Sequence, residues 1–543
     1  MKRNDEEIRR LIEKAHLKIM GITSTDEINR WYIKARNDEY RIDYIQDVCD
    51  MIMQFRDKHI YIMGDYDVDG ISASAIMIWG LQWADCKNIH CRLPKRVSEG
   101  YGMCNAMIDE VEYPGSLIIT VDNGIAALET VSYAKSMGHT VIVTDHHEPK
   151  VENGTVILPE ADYVIDPKAI PGSADFDGYC GAGIAYKIVK RLLKGDRRIA
   201  LLTPIVALAT ICDQMKIIEE NYYFVRDGLA KLNMTPQCTV PGITAIGNVM
   251  GVSHWDSNSF GFTVGPAVNA PERLKDGMSS LSLRALTSND VKECQMIALE
   301  LKRYNEERKM IEKKAVEETA AIIGDDVPYP LIVYIKNLVE GIVGIVAGQV
   351  ANKYDVPAAV FTDSSDPDIL KGSFRTFGEY NVKEHMDICG DMFTKYGGHA
   401  EAAGASVRRD LFEDMRHKME ECSERPAQSA DERIPYDVEI DNEETPVAVL
   451  FNEKFQPFGN GNRNLIFKIN NFKVIPYFGA IKKHIGGNGI KLHSMYSDAV
   501  GFGLWDLGER ITGPVTVTLY GELGLNRYNG KTTIQITVKH IEY

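Results

Sequence analysis

The chain has 543 residues, too many for one core, and at roughly 100–200 residues per domain it divides into three or four. Its composition, 44% hydrophobic and 25% charged, is that of a soluble globular protein, and no apolar run reaches the roughly 18 residues that a membrane span needs. A net charge of −16 excludes a broadly basic surface and leaves room only for a local basic groove, since 436–543 balances 11 Lys+Arg against 11 Asp+Glu and the excess acid lies upstream.

Residues 1–57 read as helical, with apolar positions at helical spacing over Glu6–Met20 and Thr25–Phe55. The charged start of the chain has no apolar signal core, and the ten cysteines show no CxxC spacing, which fits a cytoplasmic protein. From His59 short apolar runs alternate with helix-length segments: His59–Met63, Leu117–Val121, Thr140–Thr144 and Tyr163–Ile165 are predicted strands. This rhythm implies an α/β domain over 58–287 with a parallel sheet, whose ligand groups collect at the carboxyl ends of the strands. Ser288–Ile323, free of Gly and Pro, predicts a connecting helix of about 54 Å. A second α/β unit follows over 324–422, then a polar linker at Ser423–Asp431. The part from 432 to 543, rich in Gly and β-branched residues, with a hairpin signal at Asn529-Gly530, reads as a small β-barrel.

The sharpest chemical feature is Gly64-Asp65-Tyr66-Asp67-Val68-Asp69-Gly70, after the first predicted strand. Three carboxylates at alternate positions of a tight turn can converge on one locus, where divalent cations relieve their repulsion; a solvated acidic turn is the competing reading. A calcium loop of the EF-hand type is excluded, because its twelfth position needs Glu and is Ile76 here. Asp122, in Val121-Asp122-Asn123-Gly124, reads equally as a ligand or a helix N-cap. Asp145-His146-His147 supplies imidazole for Mn²⁺ or a similar ion, with a second ring to meet a substrate phosphate. Asp213 ends an apolar segment, where a buried carboxylate needs a partner such as a cation. Gly181 and Gly183 do not complete a dinucleotide fingerprint, whose third glycine is Tyr186 here.

In this order, Asp-Tyr-Asp-Val-Asp-Gly, Val-Asp-Asn-Gly, Asp-His-His-Glu-Pro and the late Asp213 resemble motifs I to IV of the DHH phosphoesterases. The resemblance extends from about residue 58 to the C-terminus. Leu93-Pro94-Lys95-Arg96 through Glu99-Gly100-Tyr101-Gly102, and Cys180-Gly181-Ala182-Gly183, are similar to segments of the family's single-strand-specific exonucleases. Gly397-Gly398-His399-Ala400-Glu401-Ala402-Ala403-Gly404 is similar to the signature of the DHHA1 domain, and Pro457-Phe458-Gly459-Asn460-Gly461-Asn462 belongs to a stretch resembling an OB domain.

The resemblance implies a site of two Mn²⁺ or Mg²⁺ ions held by Asp65, Asp67, Asp69, Asp122, His146 and Asp213. Asp122, His146 and His147 would be catalytic, with Asp122 bridging and His147 contacting substrate or assisting proton transfer. Substrate contacts are implied at Asn269, Arg273, Ser373, Arg375, Gly397, Gly398 and His399. Small residues let backbone N–H groups approach a phosphate, and Arg gives planar two-point binding. The implied reaction is stepwise hydrolysis of single-stranded DNA from the 5′ end, with a helicase or single-strand-binding protein as partner. Phe458, Phe467, Tyr477, Phe478, Tyr496 and Tyr528 are available to stack bases, although most aromatics of a small barrel are core.

Departures fall on the substrate side: Ala267 stands where the family has Arg, Glu272 where it has Gly, Leu338-Val339 for Trp-His, and Gln349 for Arg. Two rivals remain at this level, a phosphodiesterase of short oligonucleotides or cyclic dinucleotides, and a non-catalytic single-strand-binding scaffold.

Overall fold

The computed structural model describes residues 3–324, 326–426, 434–475, 489–504, 514–528 and 531–543. Helix α1 (Asp5–Met20) is closed at its start by a reciprocal Asn4–Glu7 capping box and at its end by Gly21 in the left-handed region. The single helical stretch expected over Thr25–Phe55 is instead two helices, α2 (Thr25–Arg36) and α3 (Ile45–Gln54). Between them Asp38 and Tyr44 turn to φ 59° and 60°, which no continuous helix accommodates.

The first sheet holds β1 (His59–Met63), β2 (Asn88–Arg92), β3 (Leu117–Val121), β4 (Thr140–Thr144) and β5 (Tyr163–Ile165), all parallel, in the order β2-β1-β3-β4-β5. Such a sheet is covered on both faces, so its inner strands are continuous apolar runs, and β3 is buried at every position. Helices α4 (Val68–Trp83), α5 (Gly181–Leu192) and α6 (Thr203–Cys212) follow, each buried along most of its length. Strand order reverses at β1, so the crevice between the carboxyl ends of β1 and β3 is the topological switch point.

A π-helical turn, Phe260–Val264, leads into α7 (Gly265–Leu274), and α8 (Val291–Ile323), capped by Asp290, carries the chain to the second domain. There β6 (Leu331–Tyr334), helix α9 (Val343–Tyr354), β7 (Ala358–Asp363), β8 (Ile369–Arg375), β9 (Phe393–Gly398) and β10 (Ala402–Arg408) form a sheet of order β9-β10-β8-β7-β6, parallel only at β6–β7.

The C-terminal domain is a six-stranded sheet of β11 (Val438–Asp441), β12 (Ile466–Lys473), β13 (Ile490–His493), β14 (Asp498–Gly501), β15 (Thr516–Tyr528) and β16 (Lys531–Glu542). Their order is β11-β12-β15-β16-β14-β13. Asn529-Gly530 lies outside the described residues, as does the linker from residue 427; β15 and β16 pair antiparallel up to Tyr528 and Lys531.

The ends of the chain meet. Arg3 donates to the Glu444 carboxylate at 2.9 Å, and His16 Nε2 lies 2.8 Å from Asn452 Oδ1 with its ring stacked on Phe455. Ile217 N–H donates to the Asn460 carbonyl at 2.7 Å, and the Tyr222 hydroxyl to that of Gln456 at 3.0 Å. One continuous set of buried apolar side chains therefore runs from Ile8 through the first sheet to Ile541, whereas the second domain has its own two cores, one on each sheet face. The N-terminal helices and C-terminal domain thus share one core with the first sheet.

Candidate metal centre and substrate cleft

Asp65 leaves β1 fully buried, with Oδ1 accepting the Gly102 N–H at 3.1 Å. Asp67 caps α4, taking the N–H groups of Asp69 and Gly70 at 2.9 and 3.1 Å. Gly70 has no substitute here, since a Cβ would lie 2.7 Å from the Asp65 backbone. Asp69, on the first turn of α4, is gripped by the start of α5: Gly181 and Ala182 N–H donate to its two oxygens at 2.6 and 2.8 Å. The amino end of α5 can come this close only because Gly181 carries no Cβ, which would fall 2.4 Å from Asp122 Cβ.

Asp122 follows β3 with φ 63°, a strained conformation of the kind that concentrates at functional sites. The Tyr101 hydroxyl donates to its carbonyl at 2.8 Å. His146 Nε2 stands 3.1 Å from Asp122 Oδ1 and 3.6 Å from both Asp69 Oδ2 and Asp213 Oδ2. Three sets of ligand atoms gather within 4.8 Å: Asp65, Asp67 and Asp122; Asp69, His146 and Asp213; and Asp122, His146 and His147. Asp122 is shared by two of them. The structure thus brings together all six residues that the sequence analysis proposes as ligands.

Electrostatics mark the same locus. Burial and neighbouring carboxylates raise Asp65 and Asp213 to about 8, and lift Asp67 and Asp122 as well. Burial lowers His146, keeping its ring neutral and able to act as a ligand. Asp65 Oδ2, Asp122 Oδ1 and His146 Nε2 are buried with no hydrogen-bond partner. Orphaned polar atoms of this kind are costly, and divalent cations at the two carboxylate groups would satisfy all three. The donor set, carboxylate oxygens with one imidazole, suits Mn²⁺ or Mg²⁺.

His147 differs from its neighbour. Burial opposes its charge, but Asp145 Oδ1 at 2.7 Å raises it to about 9, and Asp145 is lowered in turn because that ion pair outweighs its own burial. A charged imidazole donates rather than ligates, which sets His147 apart from His146 although its ring nitrogen lies within 4.8 Å of ligand atoms of Asp122 and His146. Asp145, to which the sequence analysis assigns no role of its own, fixes that loop by accepting the N–H groups of Ile125 and His146.

Beyond the cluster, the second domain closes a cavity of about 610 Å³ that includes Tyr66, Arg96, Arg273, Ser373, Arg375 and Gly397. Arg375 donates to Ser373 at 2.8 Å, and Arg96 lies over the Tyr66 ring at 4.9 Å. Asn269 lines instead a neighbouring cavity of about 530 Å³, which shares Arg273 with the first. Gly398 and His399 line neither cavity: His399 is exposed, and its N–H turns back to the Ala402 carbonyl at 2.9 Å in the β9–β10 hairpin. Arg96 and Tyr66, which meet within the first domain, and Lys371, which lines the same cavity from the second, have no sequence signal, because the fold and the docking of the two domains bring them together.

The departures find local explanations. The Glu272 carboxylate accepts the N–H groups of Arg96, Gly277 and Ser279 at 2.7–2.9 Å, so it positions Arg96. Gln349 donates to Glu312 at 3.0 Å, tying α9 to α8. Ala267 and Leu338 are core residues. Among the aromatics considered for base stacking, Phe467 is fully buried and excluded, Phe458 lines the second cavity and Tyr496 is exposed. Tyr477 and Phe478 lie outside the described residues, as does the side chain of Tyr528.

Family models match three segments: the DHH family N-terminal domain over residues 59–211, the DHHA1 domain over 329–425 and the RecJ OB domain over 436–540. The single-stranded-DNA-specific exonuclease RecJ of Bacillus subtilis (strain 168) is 30% identical over 516 residues, covering 92% of this chain. The chain spans 64% of the length of that relative. The crystal structure of RecJ with Mn²⁺ from Thermus thermophilus shares the fold at a TM-score of 0.74 and 22% identity, covering 92% of this chain and 72% of that one. A second, manganese-bound exonuclease RecJ matches at a TM-score of 0.59 and 26% identity, over 70% of this chain and 94% of that one.

Proposed function

The chain belongs to the DHH family, with the DHHA1 and RecJ OB domains that accompany it, and on that premise we propose that it is a single-strand-specific DNA exonuclease. It releases 5′-mononucleotides stepwise from the 5′ end. The observation that carries this reading is the convergence of orphaned buried Asp65, Asp122 and His146 atoms beside a cavity lined by Arg96, Arg273 and Arg375.

Two bound Mn²⁺ or Mg²⁺ ions would lower the pKa of water and clamp phosphate oxygens for in-line attack, held by Asp65, Asp67, Asp69, Asp122, His146 and Asp213. His147, held charged by Asp145, stands ready to donate a hydrogen bond to a phosphate oxygen or a proton to the leaving oxygen. Arg96 from the first domain, with Ser373 and Arg375 from the second, grips the phosphate of the terminal nucleotide. Tyr66, half-buried between Asp65 and Asp67, offers its ring to the terminal base or sugar.

Single-stranded DNA is the substrate, and a helicase or single-strand-binding protein would supply it. Ten free cysteines fit a reducing cytoplasm. No helix among the described residues is long and apolar enough to cross a membrane.

Replacing Asp122 or His146 by Ala tests the site. Each variant should lose turnover by orders of magnitude while keeping its fold, and chelator should silence the wild type until Mn²⁺ is restored. Near-normal activity in Asp122→Ala would refute the shared-ligand role.

A further inference from the structure

The cavity beneath the second domain is larger and more positive than one terminal phosphate requires. Its volume of about 610 Å³ is of the size that holds a whole small molecule. Five cationic side chains, Arg96, Arg273, Lys371, Arg375 and Lys395, line it against one carboxylate, Glu340. Glu340 neutralises Lys371 at 2.6 Å. A terminal monophosphate brings at most about two negative charges, so with Arg96 and Arg375 engaged the charges of Arg273 and Lys395 are left over. Lys395 is exposed and has no side-chain partner among the described residues. Burial, then the charges of Arg96 and Arg308, push Arg273 down to about 10. In a chain of net charge −16 such a surplus needs a reason.

Strand register shows where the surplus lies. Side chains alternate across β8 and β10: Leu370, Phe374, Ala403 and Ala405 enter the core of one face, which leaves Lys371, Ser373, Arg375, Gly404 and Ser406 on the face of the cavity. Ser373 pairs with Gly404 and Gly404 with Gly397; one pleat further on, Lys371 pairs with Ser406 and Ser406 with Lys395. These two cross-strand rows stand about 7 Å apart, twice the rise per residue. The fold does not require the glycines of the first row. A Cβ on Gly397 would meet nothing within 4 Å, and one on Gly404 only the Gly372 carbonyl at 3.9 Å. Neither has a positive φ. Glycine weakens a strand interior, and where packing does not demand it, it marks the close approach of a ligand. A bare backbone floor therefore joins Ser373 to the row of Lys371, Ser406 and Lys395. The amino end of α9, without a side-chain cap, borders the same floor: a Cβ on Gly344 would lie 3.0 Å from Ser373 Oγ.

Resting on the exonuclease reading, we propose that Lys371, Ser406 and Lys395 form a subsite for further phosphoryl groups linked to the terminal phosphate, so that the enzyme takes strands with a 5′-triphosphate end. With the α-phosphate on Ser373 and Arg375, the β- and γ-phosphates lie over Gly404 and Gly397 toward Lys395. A monophosphate cannot span the two rows. The reaction is the one already assigned: the oxygen of water bonds to the phosphorus of the first phosphodiester, and the bond to the 3′ oxygen breaks. That oxygen leaves as a hydroxyl with one proton of the water, and the other proton goes to solvent. The products are a nucleoside 5′-triphosphate and a strand with a 5′-monophosphate, and no phosphoanhydride bond is broken.

Oligothymidylates of one length, 3′-labelled and ending in a 5′-hydroxyl, a 5′-monophosphate or a 5′-triphosphate, test it with the full chain. In chelator, with binding read by anisotropy, affinity should rise from hydroxyl to monophosphate, and again by about tenfold to triphosphate, as one or two charge-assisted contacts provide. Lys395→Gln should remove most of the second rise and keep the first within about twofold, and Lys395→Arg should restore the second. Lys395 is exposed, so these variants fold. With Mn²⁺ in excess, a γ-labelled triphosphate strand should release its label as nucleoside triphosphate. A triphosphate strand bound no more tightly than the monophosphate one overturns the subsite, and so does a second rise that survives Lys395→Gln. Label released as orthophosphate or pyrophosphate overturns the assigned cleavage. Free inorganic tripolyphosphate that competes as tightly as the triphosphate strand would overturn the assignment to a strand end. A wild type with both rises in binding that cleaves no strand would refute the exonuclease reading and leave the subsite standing.

Discussion

Replacing Asp65 by Asn should stabilise the metal-free protein and disable the metal-loaded one. Burial and the charge of Asp67 raise the Asp65 carboxyl from 3.8 to about 8, so at pH 7 the folded chain holds a proton that the unfolded chain has released. Between those values the unfolded state binds fewer protons, and stability falls as pH rises through the window. At 1.36 kcal/mol per unit over the roughly three units from 3.8 to 7, the cost is about 4 kcal/mol. Asn cannot ionise and escapes that cost. Its oxygen keeps the Gly102 N–H, while its amide group takes the place of the orphaned Oδ2 at a penalty of about 1–3 kcal/mol. The net gain in chelator is about 1–3 kcal/mol at pH 7; it shrinks as pH falls and is reversed by pH 4, where only the penalty of about 1–3 kcal/mol remains. With Mn²⁺ the order should invert, because the wild type gains RT ln(1 + [L]/Kd) from the ions. Urea unfolding of both proteins, with chelator and with Mn²⁺ across that pH range, reads the difference. A variant that is less stable than wild type in chelator above neutral pH would refute the view that the carboxylates are strained without cations.

Other outcomes follow from the same geometry. Gly181→Ala should cut turnover by about 100-fold with the fold retained, because its Cβ would meet Asp122 Cβ at 2.4 Å and displace the site; wild-type kinetics would contradict that packing. His16 is lowered from 6.5 to about 4 by burial, so the unfolded chain takes its proton first and stability falls as pH drops from 6.5 toward 4. The wild type should lose about 3 kcal/mol more than His16→Gln over that range, measured by unfolding in identical buffers; equal losses would mean that the ring is not desolvated against Phe455.

Much of this was legible in the sequence because the chemistry is local to strand ends. The strands His59–Met63, Leu117–Val121, Thr140–Thr144 and Tyr163–Ile165 stand as their apolar runs predict, since parallel strands covered on both faces tolerate nothing else. The edge strand Asn88–Arg92 was missed: half-buried throughout, its Asn-Ile-His-Cys-Arg alternates polar and apolar over only five residues and lacks the continuous apolar run of the inner strands. The acidic clusters beginning at Asp65, Asp122 and Asp145 could be read because each follows its strand by one or two residues, whereas Asp213 ends the helix Thr203–Cys212. Tyr101, Arg96 and Asp145 could not be assigned roles, because their partners lie 20 or more residues away or depend on an ion pair with no sequence signature. A polar linker at Ser423–Asp431 says nothing of what the C-terminal domain packs on; α1, Ile217 and Tyr222 contact it, so removing that domain would strip part of the core.

The most direct test of the account is digestion of end-labelled single strands by the full chain with Mn²⁺. A 5′-labelled strand should yield labelled mononucleotide from the first time point, while a 3′-labelled strand shortens gradually and duplex DNA is spared. Immediate release of label from the 3′ end, or hydrolysis confined to dinucleotides with long strands untouched, would contradict it.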